Sequence, residues 1–412
     1  MFSREILLGG FILALVQVLA ALPWLRAIDP KGFARTFRDS SAFFTAIARV
    51  LGIALAMAAF IGYKGDSTNL LLYGRFYGAI LHLQLLIDLF IFAPSVLTLL
   101  SPKTGAVALA AYREGWRQPM FWLVIGFGLI LTWVAVILPY FTFGDDYKMM
   151  KQIGFDIIML AGVLFGVLAA SISISEEIEG RTAITVMSKP INRRQFLLGK
   201  FLGIVMACGG MSLILAWNLN WALLVMPEFD AINKDRAYDA MPEQAKQMMA
   251  PWFESAVGVG GPAQRIADGA SKWFGESFAH SFGVLLGFGQ VMILVGVATA
   301  LATRLPFVAN LVLCLVVYFL GHLAPVVVKV TEKMSDDGGS TGVRLIKFFG
   351  NLFDTLLPAL EFFNMGPAIV RETPLDLWSF VFYVLTVFGY AVLYTVIALL
   401  VGLLLFEDRD LA

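Results

Sequence analysis

Charge is what this sequence has least of for its length. Lys and Arg number 30, Asp and Glu 30, and charged residues fill 15% of the 412 positions, where a soluble chain carries about 25%. The two signs cancel, so there is no electrostatic footprint for nucleic acid. Cysteine is nearly absent. Cys208 and Cys314 both lie inside apolar runs and cannot form a disulfide framework of the secreted kind; they read as small apolar residues in helices. The three histidines (His82, His280, His322) are scattered, and no pair has metal-ligand spacing. Short dyad-alternating segments of the β-barrel type are missing. So is a phosphate cradle: no G-x-x-x-x-G-K-[ST] occurs, and Leu198-Gly199-Lys200 is followed by Phe201 and lacks the first glycine. ATP hydrolysis by that route is excluded.

What fills the space is apolar. Hydrophobic residues make up 59% of the chain and mean hydropathy is +0.80. They come in uninterrupted runs long enough to cross a hydrocarbon core of roughly 30 Å. The pattern predicts an all-α, polytopic integral membrane protein with nine spans: Ile6–Leu25, Ala42–Tyr63, Leu70–Leu100, Phe121–Phe141, Gly154–Ser175, Phe201–Met226, Ser277–Thr303, Pro306–Lys329 and Trp378–Phe406. The first run is too long for a signal-peptide core and lacks a small-residue cleavage site before a soluble domain. A break at Ser101-Pro102 follows the third span, because proline and the residue before it disfavour continuing a helix. This divides the chain into an N-terminal module, 1–103, and a larger unit, 104–412.

Orientation follows from Lys and Arg in the short loops. Arg26, Lys31, Arg35 and Arg38 lie in one loop, Lys103, Arg113 and Arg117 in the next, Arg181, Lys189, Arg193, Arg194 and Lys200 in a third, and Arg304 in a fourth. Alternation along nine spans puts all four on one face, expected to be cytoplasmic, with the N-terminus outside and the C-terminus inside a cell membrane. Two long segments then face outward. Residues 227–276 read as a polar loop with an amphipathic helix near Pro242–Ala256. Residues 342–366 read as an interfacial helical hairpin, since Lys347, Asp354 and Glu361 would each cost about 2.5–3.5 kcal/mol at the centre of a span; a tenth span is the alternative. Thr104 to Gln118 reads as an elbow helix in the interface plane. In it Tyr112 and Trp116 form an aromatic stripe at headgroup level beside a basic stripe of Arg113 and Arg117.

The stretch 176–200 is the longest strongly charged, helix-forming stretch held tightly between two spans. Gly180, Ala183, Ile184, Met187 and Ile191 share one arc of a helical wheel, while Arg181, Thr185 and Ser188 lie on the opposite flank with Thr182. Glu176, Glu177 and Glu179 sit at its start and Lys189 at its end, where the helix dipole favours each sign. Pro190 stops it. Asn192 can cap the next helix, with Gln195 completing a capping-box-like pair, and Arg193, Arg194 and Lys200 anchor that helix at the headgroups. An amphipathic helix pinned at both ends to membrane spans can carry force if a partner grips it; the plain alternative is a charged loop that satisfies topology.

Membrane-embedded titratable residues are functional candidates by default. His82, Asp88 and Asp156 would be the core of an integral-membrane enzyme, but His82 and Asp88 are six apart, about 120° off one face of a helix. The competing expectation pairs Asp88 with Arg49 on the neighbouring helix, so Asp88, His82 and Arg49 form a candidate intramembrane polar site. Secondary transport predicts inverted repeats, and no such internal symmetry is present. Glycine pairs at Gly162/Gly166, Gly199/Gly203 and Gly283/Gly287 allow close helix contacts, more often within a chain than between chains.

The pattern EE-x-EGR/T, SKP-x-x-R and FLLGK-x-x-G resembles the permeases of type-2 ATP-binding-cassette transporters. It is carried by Glu176, Glu177, Glu179, Gly180, Arg181, Thr182, Ser188, Lys189, Pro190, Arg194, Phe196, Leu197, Gly199, Lys200 and Gly203. Leu356–Asn364 resembles that family's outer hairpin, and the ending LLLFEDRDLA its terminal span and charged tail. The resemblance covers residue 104 onward. It implies that Ile178–Ser188 is a coupling helix that docks, with Thr185 on its polar flank, in a groove of a separate cytoplasmic ATPase. It also implies that ATP and Mg belong to that partner and no cofactor to this chain, and that a second permease copy completes the assembly in lipid. The three N-terminal spans depart from the six-helix pattern, and the outer loop 227–276 is longer than the pattern leads one to expect.

Overall fold

In a computed structural model, the structure describes residues 4–63, 67–138, 146–179, 191–229, 262–336, 341–364 and 377–407. The described residues are helical or in short turns. The helices are α1 Arg4–Ile28, α2 Pro30–Arg38, α3 Ser40–Tyr63, α4 Ser67–Leu100, α5 Pro102–Arg117, α6 Pro119–Ile137 and α7 Asp146–Ala170. A π turn, Ser171–Ser175, and the short α8, Glu176–Glu179, follow, and then α9 Arg193–Phe229, α10 Pro262–Ala302, α11 Phe307–Asp336, α12 Thr341–Leu356 and α13 Leu377–Glu407. Nine stretches among them are long and apolar enough to cross a membrane: Ile6–Ile28, Ser40–Tyr63, Phe76–Leu100, Pro119–Ile137, Lys148–Ser175, Arg193–Met226, His280–Ala302, Phe307–Val330 and Trp378–Glu407. The expected spans agree in number and order, with boundaries up to eight residues apart. The break at Ser101-Pro102 is present too: Ser101 is extended and Pro102 opens α5 at the first helical position.

The core is built by three of these spans. Windows in α7, α9 and α10 are 61–67% buried, against 17–22% in the first three spans and in α11. Phe121, Phe165, Met211, Leu215, Leu219, Leu286 and Ile293 fill it. Around it, α6, α11 and α13 present large apolar side chains outward, among them Leu123, Phe127, Phe319 and Phe382. A soluble protein rarely exposes such continuous apolar surface; in lipid it costs nothing.

Close packing comes from small residues, as it must where lipid competes equally well for apolar surface. On α1, Gly10 lies against the Ala54–Ala58 backbone of α3. On α9, a Cβ at Gly199 would come 2.9 Å from the Thr104 carbonyl of α5, and Gly203 faces Ala108 and Ala111 of the same helix. Gly162 and Gly166 of α7 meet Val291 and Val295 of α10, and Gly283 of α10 meets Phe155 of α7. All three glycine pairs thus pack within the chain.

The structure departs from the expectations in two places. The segment 262–276 is helix and not loop: α10 begins at Pro262 and runs 18 residues before its membrane window opens at His280, about 27 Å of helix. The elbow helix α5 forms, but its aromatic stripe turns inward. Trp116 packs against Phe90 of α4 at 5.2 Å and Phe121 of α6 at 5.5 Å between centroids, while Arg113 and Arg117 stay exposed. Helix α5 is wedged between α4 and α9, so rings on that side meet protein before lipid. The segment 341–364 folds back along α11 as α12 and a 3₁₀ turn, Leu360–Phe363. Sixteen residues of α12 reach about 24 Å, too short to span, so the hairpin stands over the tenth span. The proposed helix near Pro242–Ala256 lies outside the described residues.

Candidate functional site

The segment 176–200 is rooted in an unusual turn. The sequence SISIS at the end of α7 winds as a π turn, a form that recurs at functional sites. A π turn leaves backbone groups in poorer register than an α turn, and here each of its serines is tied to a different neighbour. Ser171 Oγ donates to the Val167 carbonyl at 2.7 Å and accepts from Asn310 Nδ2 of α11 at 2.9 Å. Ser173 Oγ donates to Glu114 Oε2 of α5 at 3.3 Å. Ser175 Oγ donates to the Leu305 carbonyl at 3.0 Å, in the turn between α10 and α11. Asn310 is fully buried and also donates to the Ala298 carbonyl at 3.0 Å, so the knot is closed on the far side.

The centre of the site is Lys200. It is 5% exposed, yet it carries a charge, and the cost of removing that charge from water has to be met by partners. Its Nζ donates to Glu177 Oε1 at 2.5 Å, to Ser173 Oγ at 2.8 Å and to Glu114 Oε2 at 3.3 Å. Three elements therefore meet at one ammonium: α8, which leads into the charged segment; α9, which leaves it; and the elbow α5. Gly199 and Gly203 make this possible by letting α9 lie against α5 without an intervening side chain. Tyr112 sits half-buried on the same elbow, and burial pushes its phenol up to about 12.

A second clasp holds the end of the last span. Arg193 Nη1 donates to the Phe406 and Glu407 carbonyls at 2.7 and 2.8 Å, and its guanidinium lies 5.5 Å from the Phe406 ring centroid. Arg304 Nε donates to the Leu405 carbonyl at 2.7 Å. The last carbonyls of a helix have no intrahelical donors, and cations there also suit the helix dipole. Arg194 pairs with Glu407 at 3.1 Å in an exposed setting. Beneath this polar layer Ile174, Ile178, Phe196, Leu197, Ala302 and Phe406 form a separate apolar cluster. At the re-entry to the membrane, Gln195 Oε1 accepts from the Asn192 N–H at 3.1 Å, the return half of the capping pair read from the sequence.

Of the residues read as the docking surface, Glu176, Glu177 and Glu179 lie in α8, and the side chains of Glu177 and Arg194 are described. Gly180, Arg181, Thr182, Thr185, Ser188, Lys189 and Pro190 lie outside the described residues. Glu114 and Ser173 were not singled out by sequence reasoning. The signal was there in kind: a lysine at the head of an otherwise apolar stretch needs an acid somewhere, and Glu114 is the one acid of the elbow.

The candidate intramembrane site does not assemble. His82 Nδ1 lies 3.0 Å from Asn220 Nδ2 of α9. Gln84 is paired with Gln17 of α1, and Asp88, four residues further along, shares that face of α4. Asp88 is buried, and its Oδ1 has no hydrogen-bond partner among the described residues. Arg49 is exposed on α3, which packs on α1 and not along α4. One helix therefore stands between Arg49 and Asp88, and the expected pair is not formed. Asp156 is exposed on α7. Among the described residues no group of three or more His, Cys, Asp or Glu side chains could hold a metal ion.

Among the described residues, nine helices long and apolar enough to cross a membrane, three of them forming a buried core, with a clamped charged segment at one end, define a multi-pass helical membrane protein. The family model described as ABC-2 family transporter protein matches residues 3–411, and the chain belongs to that family. The match takes in the three N-terminal spans as well as the region from residue 104 that carries the motifs. No curated protein matches the chain.

Proposed function

We propose that this permease subunit is driven by a separate P-loop ATPase that grips the segment 176–189 from the cytoplasm, and that ATP and Mg bind on that partner. In this reading the basic end of the bundle faces the cytoplasm of a cell membrane, the N-terminus lies outside and two permease copies form the working unit. The observation that carries the reading is the Lys200 clamp. A push on a loosely attached loop would be lost in the loop, whereas α8 is ion-paired at its root to Lys200 of α9, and the same ammonium pairs with Glu114 of α5. Displacement of the segment is thereby passed to the elbow and to a core span together. The cargo is not named by the chain.

The test is co-purification from a membrane extract. The unaltered chain should bring down a P-loop ATPase, and charge reversal in Glu179→Lys with Arg181→Glu should release it while leaving the permease folded. Absence of any such ATPase from the unaltered complex removes the motor and with it the proposal.

A further inference from the structure

Between α10, α11 and α13 lies a slot of about 910 Å³. Its floor is Val297 and Leu301 of α10, and one wall is Pro325 and Val328 of α11. The other wall is α13, where Tyr390, Tyr394, Ile397, Val401 and Leu405 recur at helical spacing. That strip is about 23 Å long, most of the thickness of a hydrocarbon core. The slot exists because α11 packs on α10 and α12 but not along α13.

The two ends differ. At the basic end the lining reaches Leu405, whose carbonyl is held by Arg304. At the other end the hairpin crosses it, and there Lys329 pairs with Glu361 at 2.8 Å in an exposed setting. Lys329 is one residue from the end of the span Phe307–Val330, so the pair stands at headgroup depth. The phenols of Tyr390 and Tyr394 are already engaged: Tyr390 accepts from the Ala359 N–H at 3.0 Å, and Tyr394 donates to the Leu356 carbonyl at 3.2 Å.

This arrangement selects its occupant. Water finds few partners along an apolar wall, and a peptide would leave its backbone unpaired there. An acyl chain has no polar atoms to satisfy. A chain hung from Lys329 and reaching half the core, about 15 Å, passes Tyr394 and Ile397 toward Val401. The rim offers both signs side by side, which complements a headgroup carrying a phosphate and an amine. We propose that the slot is a binding site for a zwitterionic phospholipid, its phosphate on Lys329, its amine on Glu361 and an acyl chain along α13. This rests on the membrane-spanning fold alone and not on the docking of an ATPase.

The probe is a phosphatidylethanolamine with a diazirine in one acyl chain, photolysed with the full chain in nanodiscs; a diazirine fatty acid is run in parallel. Adducts on Val401 and Ile397 should exceed those on Phe319, an equally lipid-facing residue, several-fold. Ala398→Trp, or Ile397→Trp if the first is unstable in size-exclusion, should remove the slot adducts and spare Phe319. Lys329→Gln with Glu361→Gln should lower phospholipid adducts in the slot and leave fatty-acid adducts unchanged. Equal labelling of Val401 and Phe319, or no response to either tryptophan, overturns the site. Fatty acid labelling as strongly as phospholipid overturns the headgroup assignment. Because both native cysteines are buried, Val401→Cys also reports unambiguously: efficient cross-linking between two chains would make the slot a contact between copies and overturn the proposal.

Discussion

Replacing Lys200 by Met separates the two jobs of the clamp. Met keeps an unbranched stem of similar reach, so the packing of α9 on α5 survives while the charge is lost. A hydrogen bond to a charged group is worth about 1.5–3 kcal/mol. Against that, the buried ammonium no longer has to be desolvated, and the acids it leaves are partly wet, with side chains 27% exposed for Glu177 and 43% for Glu114. The net destabilisation should therefore be about 1–3 kcal/mol rather than the 3–5 kcal/mol of a stranded buried charge. Geometry orders the partners. The 2.5 Å bond to the less exposed Glu177 should couple to Lys200 more strongly than the 3.3 Å bond to Glu114. Double-mutant cycles with Glu177→Gln and Glu114→Gln, read from unfolding in mixed micelles, should give about 1–2 kcal/mol for the first pair and about 0.5 kcal/mol for the second. The functional readout is ATPase activity of the co-purified complex, which should lose its dependence on the permease in Lys200→Met even where binding persists. A larger coupling for Glu114 than for Glu177, or Lys200→Met unchanged in both stability and ATPase activity, would refute the reasoning.

Three further outcomes follow from the same geometry. Arg193→Gln should lower the melting temperature of the purified protein, at a cost of about 1–2 kcal/mol, since it strips the carbonyls of Phe406 and Glu407 of their donor; Arg194→Gln, which breaks only an exposed pair, should cost under about 0.5 kcal/mol. Asn310→Leu removes the donor to Ser171 and Ala298 from a fully buried site and should destabilise by about 1–3 kcal/mol, more than Ser175→Ala, when both are compared by thermal denaturation. Asp88→Asn should leave thermal stability unchanged or raised, because the carboxyl it replaces has an unpartnered buried oxygen; a clear loss of stability would show a counter-ion the expected Arg49 pair does not supply.

The spans were legible because crossing a bilayer requires long apolar runs, and Ser101-Pro102 and Asn192-Gln195 were legible because their chemistry is local. The direction of the elbow was not. In a membrane protein an aromatic stripe can meet lipid or protein equally well, so the spacing of Tyr112 and Trp116 gave a stripe without saying what it faces. The Asp88 and Arg49 pairing failed for a related reason: neighbours in sequence order, α3 and α4, are kept apart in space by α1. The clamp itself joins Glu114, Ser173 and Lys200, positions up to 86 residues apart. Only the order of packing, fixed by Gly199 and Gly203 against α5, brings them to one point.

The π turn at Ser171–Ser175 has a mechanical consequence. A π turn accommodates one more residue than an α turn of the same bonding pattern, so α7 holds a surplus residue just before α8. Winding that residue into α register would rotate everything beyond it by about 100° and advance it by about 1.5 Å. The rotation would swing Glu177 off Lys200, and the three serines, each bonded to a different neighbour, set the resistance to that step. The surplus residue thus sits where a core span meets α8.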